Sequence, residues 1–144
     1  MPSEPRKLKA AVFGVGHLGT FHARILAARA DVELAAVVDV DAARAAKVAD
    51  ELKCPARVLA GSSAAEVLAA CPAGVEAVIV AVPTIFHAAV AVPLLERGIA
   101  CLVEKPIAHD LDSARALLDA AERGHAALAV RQVLRRTAEI GLSD

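Results

Sequence analysis

The residues with the clearest chemistry are Gly14, Gly16 and Gly19, in the run Phe13-Gly14-Val15-Gly16-His17-Leu18-Gly19. An apolar segment, Leu8 to Val12, precedes them and a helical pattern follows, so G-x-G-x-x-G stands at a strand-to-helix turn. Each glycine has a reason there. Gly14 lets the chain turn sharply, Gly16 lets a pyrophosphate approach the backbone, and Gly19 lets the helix pack closely on the sheet. The helix N-terminus then directs free N–H groups and partial positive charge at the phosphates. His17 and Leu18, inside the turn, are further candidates for cofactor contact. A second apolar run, Val32 to Val38, ends at Asp39, which stands 20 residues beyond Gly19. A carboxylate at that distance bonds the ribose hydroxyls of NAD and repels the extra phosphate of NADP, so NAD is the expected cofactor and NADP the less favoured one. Arg44 lies close enough in sequence to neutralise Asp39 or to meet a phosphate.

The elements that must position these residues alternate along the chain. Strands are expected at Leu8–Val12, Val32–Val38, Arg57–Ala60, Ala77–Val82, Ala100–Val103 and Ala126–Val130. Helices are expected at Leu18–Arg29, with Phe21, Ile25 and Leu26 on one face, and at Ala42–Leu52, capped by Asp41. A short helix follows Ser63-Ala64-Ala65-Glu66, which has capping-box spacing. Thr84–Arg97 carries Pro93 inside it, which should kink the helix or remove a hydrogen bond. Leu111–Arg123 is capped by Asp110 and closed by Gly124. Six strands alternating with helices predict an α/β single domain, a doubly wound parallel sheet of Rossmann type in the order 3-2-1-4-5-6.

Composition narrows the function. The 144 residues suffice for one domain and carry a net charge of −1, with no basic block before the last fifteen residues, so nucleic acid is not an expected partner. The core must be built from Ala, Val and Leu, because only 2% of residues are aromatic. No stretch reads as a signal peptide or membrane span, and a cytoplasmic location is expected. Cys54, Cys71 and Cys101 lack the spacing of a disulfide framework or a metal site, which leaves them as small apolar side chains.

Ligands of such sheets bind at the carboxyl ends of the strands. After strand four comes Val82-Pro83-Thr84-Ile85-Phe86-His87, and after strand five Glu104-Lys105-Pro106. With Gly14-x-Gly16-x-x-Gly19-x-x-His22 and Val38-Asp39, these segments resemble the Gfo/Idh/MocA family of NAD(P)-dependent oxidoreductases over Lys7 to Val130. The resemblance implies hydride transfer between nicotinamide and a hydroxyl-bearing carbon of a sugar, nucleotide-sugar or polyol. It implies that Lys105 sits near the nicotinamide and the substrate hydroxyl, as a fixed charge or a proton-transfer group. Glu104 would orient Lys105, and Pro106 would hold the turn, for which a cis bond is one means. Val82, Pro83 and Thr84 would lie along the nicotinamide, and His87 would open the next helix, either in a functional role or as a capping residue. His22 is read as a packed core histidine. The stretch Pro93 to Gly98 before Glu104 is similar to members acting on nucleotide-sugars.

Domain limits are expected at 1–130 for the dinucleotide-binding unit and 131–144 for a vestigial start of a substrate domain. There Val130-Arg131-Gln132-Val133-Leu134-Arg135-Arg136 departs from the family's V-G-H-x-x-R-F, with Arg131 at the glycine. A truncated or frameshifted gene product, an excised cofactor domain and a natural small binding protein all remain open. Catalysis by the 144 residues alone is in doubt, and a non-catalytic NAD-binding module or sensor is the alternative function. An apolar sheet face left bare would be covered by self-association, so a homo-oligomer is expected.

Overall fold

The computed structural model describes residues 5–131. Its strands are β1 (Leu8–Phe13), β2 (Val32–Asp39), β3 (Ala56–Val58), β4 (Ala77–Val80), β5 (Ala100–Glu104) and β6 (Leu128–Arg131). They form one parallel sheet in the order β3-β2-β1-β4-β5-β6, the expected doubly wound arrangement. Between them run α1 (His17–Ala28), α2 (Ala42–Leu52), α3 (Ala64–Ala70), α4 (His87–Glu96) and α5 (Leu111–Gly124).

Local chemistry sets the helix ends. Asp41 accepts a hydrogen bond from the Arg44 N–H at 3.1 Å and Asp110 from the Ser113 N–H at 2.7 Å, each satisfying an amide that the helix leaves free. Ser63 and Glu66 close a reciprocal capping box at α3. The expected helix over 84–97 is divided: Thr84–Phe86 is a 3-10 turn, and α4 proper starts at His87. Pro93 stays inside α4, buried, and has no N–H to donate to the Ala89 carbonyl one turn back. The stop of α5 is not Gly124. That residue is the last of the helix, and His125 makes the left-handed cap at φ 50°. Gly124 is needed for a different reason, since a Cβ there would lie 1.7 Å from the Leu95 carbonyl oxygen of α4.

Two cores flank the sheet. Nineteen buried apolar residues pack on the side of α3, α4 and α5, among them Phe13, Leu94 and Leu117. Six lie on the side of α1 and α2, around Val12, Val37 and Val48. The contrast shows how unevenly the helices cover the two faces. Cys101 is buried in the larger core, where burial, with the Cys71 thiol adding to it, pushes its thiol up to about 12. It packs as an apolar side chain, as expected, and all three cysteines are free.

On α1 the inward face differs from expectation. Gly19, His22 and Ala23 are buried, whereas Phe21 and Ile25 are 51% and 45% exposed. Small residues let the helix sit so close to β1 that the larger apolar side chains are displaced to its flank.

Substituting Gly124→Ala should cost about 1–3 kcal/mol, the range for forced overpacking. Denaturant unfolding reads the change, with cofactor affinity unaltered because Gly124 is far from the strand ends that hold the site.

Candidate functional site

The turn between β1 and α1 has the geometry that its glycines require. Gly14 adopts φ +90°, and a Cβ on it would meet the Ala81 and Val82 backbone at 2.7 Å. A Cβ on Gly19 would lie 1.6 Å from the Gly14 carbonyl oxygen, so the first turn of α1 rests directly on the strand exit. Gly16 is different, because a Cβ there would meet nothing within 4 Å. Its bare backbone borders space that a ligand can enter. Gly16 is also the N-cap of α1 and supplies no capping side chain, and no acidic residue occupies the first turn. The amides of that turn therefore keep their capacity for an anion.

Asp39 ends β2 beside this turn and is 5% exposed. Its Oδ2 accepts from the Val15 N–H at 2.8 Å and its Oδ1 from the Asp41 N–H at 2.9 Å. Arg44 brings Nη1 to 3.6 Å from Oδ1 while remaining half exposed. An ionised carboxylate has about four acceptor positions, so two remain for hydroxyl donors. Gly14, Gly16, Asp39, Arg44, Val82 and Pro83 line one cavity of about 460 Å³. An open glycine, a buried carboxylate with acceptors to spare and an uncapped helix start together suit the adenosine and pyrophosphate of a dinucleotide.

The other expected residues take different places. His17 and Leu18 are exposed at the turn and do not line the cavity, and Gly19 is buried beneath it. Thr84 is half-buried in the 3-10 turn. His87 is buried at 1% exposure, with Nε2 at 3.0 Å from the Val82 carbonyl and Nδ1 at 3.1 Å from the Ile107 carbonyl. It is thus a brace between the exits of β4 and β5, which settles its place as neither surface nor cap. Lys105 is exposed at the end of β5, and the Lys105–Pro106 peptide is cis.

Glu104 corrects one expectation. Its carboxylate, 5% exposed, is bonded by His22 Nε2 of α1 and approached by Arg131 Nη1 of β6 at 3.4 Å. None of its contacts among the described residues goes to Lys105. Burial would raise the Glu104 carboxyl, but the His22 hydrogen bond and the Arg131 charge outweigh that and hold it below its ordinary value. His22 is therefore more than core filling. Sequence reasoning passed over this cluster because its members lie 82 and 27 residues apart. It also passed over Gly61, Ser62 and Phe86 in the cavity wall, although the rule of looking after each strand would have found Gly61 and Ser62 beyond β3. Of the tail at 131–144, only Arg131 lies within the described residues.

The depressed Glu104 value has a defined sign in stability. A carboxyl bound less tightly to its proton when folded contributes stability above its unfolded value, lost as pH falls through the folded one. Acid unfolding below about pH 4 should therefore be shallower for Glu104→Gln than for the parent chain. Parallel acid limbs followed by circular dichroism would contradict this.

Comparison with known proteins agrees with the geometry. The model of the Gfo/Idh/MocA oxidoreductases, described as an oxidoreductase family with an NAD-binding Rossmann fold, matches residues 8–132. UDP-N-acetylglucosamine 3-dehydrogenase of Acidithiobacillus ferrooxidans is 41% identical over 89% of this chain and 38% of its own length. Its solved structure superposes with a TM-score of 0.72 over 86% of this chain and 38% of that one. Inositol 2-dehydrogenase 1 of Paenarthrobacter aurescens is 35% identical over 93% of this chain and 39% of its own length. A structure of GenD2 from gentamicin A biosynthesis, in complex with NAD, is 30% identical with a TM-score of 0.74, over 90% of this chain and 37% of that one. The chain thus spans under two-fifths of these relatives. With a glycine turn, a strand-end aspartate and a Glu-Lys-Pro turn placed as described, this chain belongs to the Gfo/Idh/MocA oxidoreductase family, NAD-binding Rossmann fold.

Proposed function

We propose that this chain is the cofactor-holding part of an NAD-dependent oxidoreductase acting on a hydroxyl-bearing carbon of a sugar, nucleotide-sugar or polyol. The observation that carries the reading is Asp39 in one cavity with Gly14 and Gly16, its carboxylate fixed by two backbone amides and still able to accept. The named relatives, a nucleotide-sugar dehydrogenase and an inositol dehydrogenase, support the substrate class.

In this reading the amides of the first α1 turn, at His17, Leu18 and Gly19, hold the pyrophosphate. Asp39 holds the adenosine ribose, and Arg44 covers it from the solvent side. Val82, Pro83 and Thr84 border the nicotinamide half, braced by His87. Bound NAD supplies the hydride acceptor. Lys105 acts at the substrate hydroxyl, either as an ammonium that stabilises negative charge developing on the oxygen or as a neutral amine that takes its proton. Glu104 acts behind it, as the anchor of the β5 exit to α1 and β6. The protein works in the cytoplasm as a homo-oligomer, on a small-molecule substrate.

Fluorescence titration with NADH and NADPH tests the cofactor assignment. NADH should bind more tightly, and Asp39→Asn should weaken it by roughly tenfold to a hundredfold while narrowing its lead over NADPH, as expected for one or two lost hydrogen bonds. Equal affinity of the parent chain for both cofactors would remove Asp39 from its role. Lys105→Ala should abolish sugar or polyol oxidation and leave NADH affinity within about twofold, since only a transition-state contact is lost. Retained turnover would remove Lys105 from the chemistry.

A further inference from the structure

His87 opens α4, buried, and is hydrogen-bonded or ion-paired to no charged side chain among the described residues, yet both of its ring nitrogens are engaged. Nε2 lies 3.0 Å from the Val82 carbonyl oxygen and Nδ1 3.1 Å from that of Ile107, ordinary N–H···O separations. Both partners can only accept. A neutral imidazole has one N–H and one lone pair, so it donates to one carbonyl and must turn its lone pair on the other, whereas an imidazolium donates to both. The two contacts together are thus the geometry of a clamp that is complete only with a second proton.

The clamp joins two parts of the site. Val82 follows β4 and lines the cofactor cavity, and Ile107 is the second residue beyond Lys105. On the near side of Lys105, Glu104 is bonded by His22 and approached by Arg131. Lys105 therefore stands between two anchored residues. The charged and titratable groups of the elements around His87 are paired, exposed or held neutral. Beyond β5, Lys105 is exposed and His109 pairs with Asp110 at 3.0 Å. Glu66 of α3 is bound by Ser63, and burial raises the Cys71 and Cys101 thiols, which keeps them protonated. Asp112, Arg115, Asp119, Glu122 and Arg123 of α5 are exposed, as are Glu96 and Arg97 at the far end of α4.

We propose that His87 is a positioning residue for Lys105, a clamp that closes when its second ring nitrogen takes up a proton and lets go of one strand exit when that proton leaves. Falling pH closes it and rising pH opens it. Closed, it fixes the segment after Lys105 to the wall of the cofactor cavity; open, that segment and the wall move apart independently. The part assigned to Lys105 rests on the oxidoreductase reading, whereas the clamp itself needs neither cofactor nor turnover. His22, the other buried imidazole near the turn, acts on Glu104 from the α1 side and has a carboxylate as its partner, so its effect is separable from that of His87 by substitution.

Nitrogen and carbon NMR of the complete chain, free of cofactor, tests this over about pH 8 to about pH 5, the range in which histidines ordinarily change charge. As pH falls, His87 should lose the signal of its unprotonated ring nitrogen, and the Val82 and Ile107 carbonyl carbons and the Lys105 Cα should shift in the same step. His87→Gln and His87→Asn, each with one amide group to donate, should lack that step at all three carbons. A His87 that keeps its lone pair throughout, or is doubly protonated throughout, overturns the proposal. So does a Lys105 resonance that ignores the His87 step, or a step that persists in both variants. Where neither variant folds, the parent titration decides alone. Failure of the oxidoreductase reading would look different, as turnover retained by Lys105→Ala with the His87 step intact.

Discussion

The contact on which the site depends is that between the first turn of α1 and the exit of β1. A side chain at Gly19 would occupy the place of the Gly14 carbonyl, so only glycine lets the helix start directly on the strand end. That closeness sets Gly16, the uncapped start of α1, at the cavity edge and brings Val15 to where its N–H is held by Asp39. Helix start, turn and carboxylate are thereby one unit. Loosening the approach would misplace all three together, whereas a surface contact could be lost without moving any of them.

A second layer of organisation lies under the exposed Lys105. Glu104 joins β5 to α1 through His22 and to β6 through Arg131, and His87 joins the β4 exit to the segment after Pro106. These buried polar groups are satisfied by one another or by backbone, the condition for such groups to rigidify a site. Arg131 matters to this balance because it stands where the family pattern has glycine. The Arg131 charge, with the His22 hydrogen bond, holds the Glu104 carboxyl below its ordinary value although it is shut away from water.

Much of the fold was legible because strand and helix patterns here are clean. Apolar runs marked β1, β2, β4 and β5, and Asp41, Ser63 and Asp110 marked helix starts that the structure bears out. What failed did so for identifiable reasons. Apolar spacing on α1 put Phe21, Ile25 and Leu26 on one face, but spacing reports an apolar stripe and not what covers it, and Phe21 and Ile25 are exposed. The run Ala77–Val82 read as one strand, although its last two residues leave the ladder to line the cavity. Within the site, the glycine turn and Asp39 were readable because local spacing fixes their geometry. The resemblance implied that Glu104 orients Lys105, and its contacts to His22 and Arg131 were not legible because those side chains come from distant elements.

The inequality of the two cores bears on how the molecule opens. Six buried apolar residues hold the α1 and α2 layer to its face of the sheet, against nineteen on the other face. Local opening should begin in the layer with fewer buried contacts, at a smaller free energy than global unfolding. Arg44 of α2 belongs to that layer and reaches Asp39 at the end of β2. A dinucleotide seated on both would bind only the closed form, and so would tighten the weaker layer selectively. Occupancy of the cofactor site would then be read out as a levelling of stability between the two layers, with the adenosine tying α2 to the strand ends.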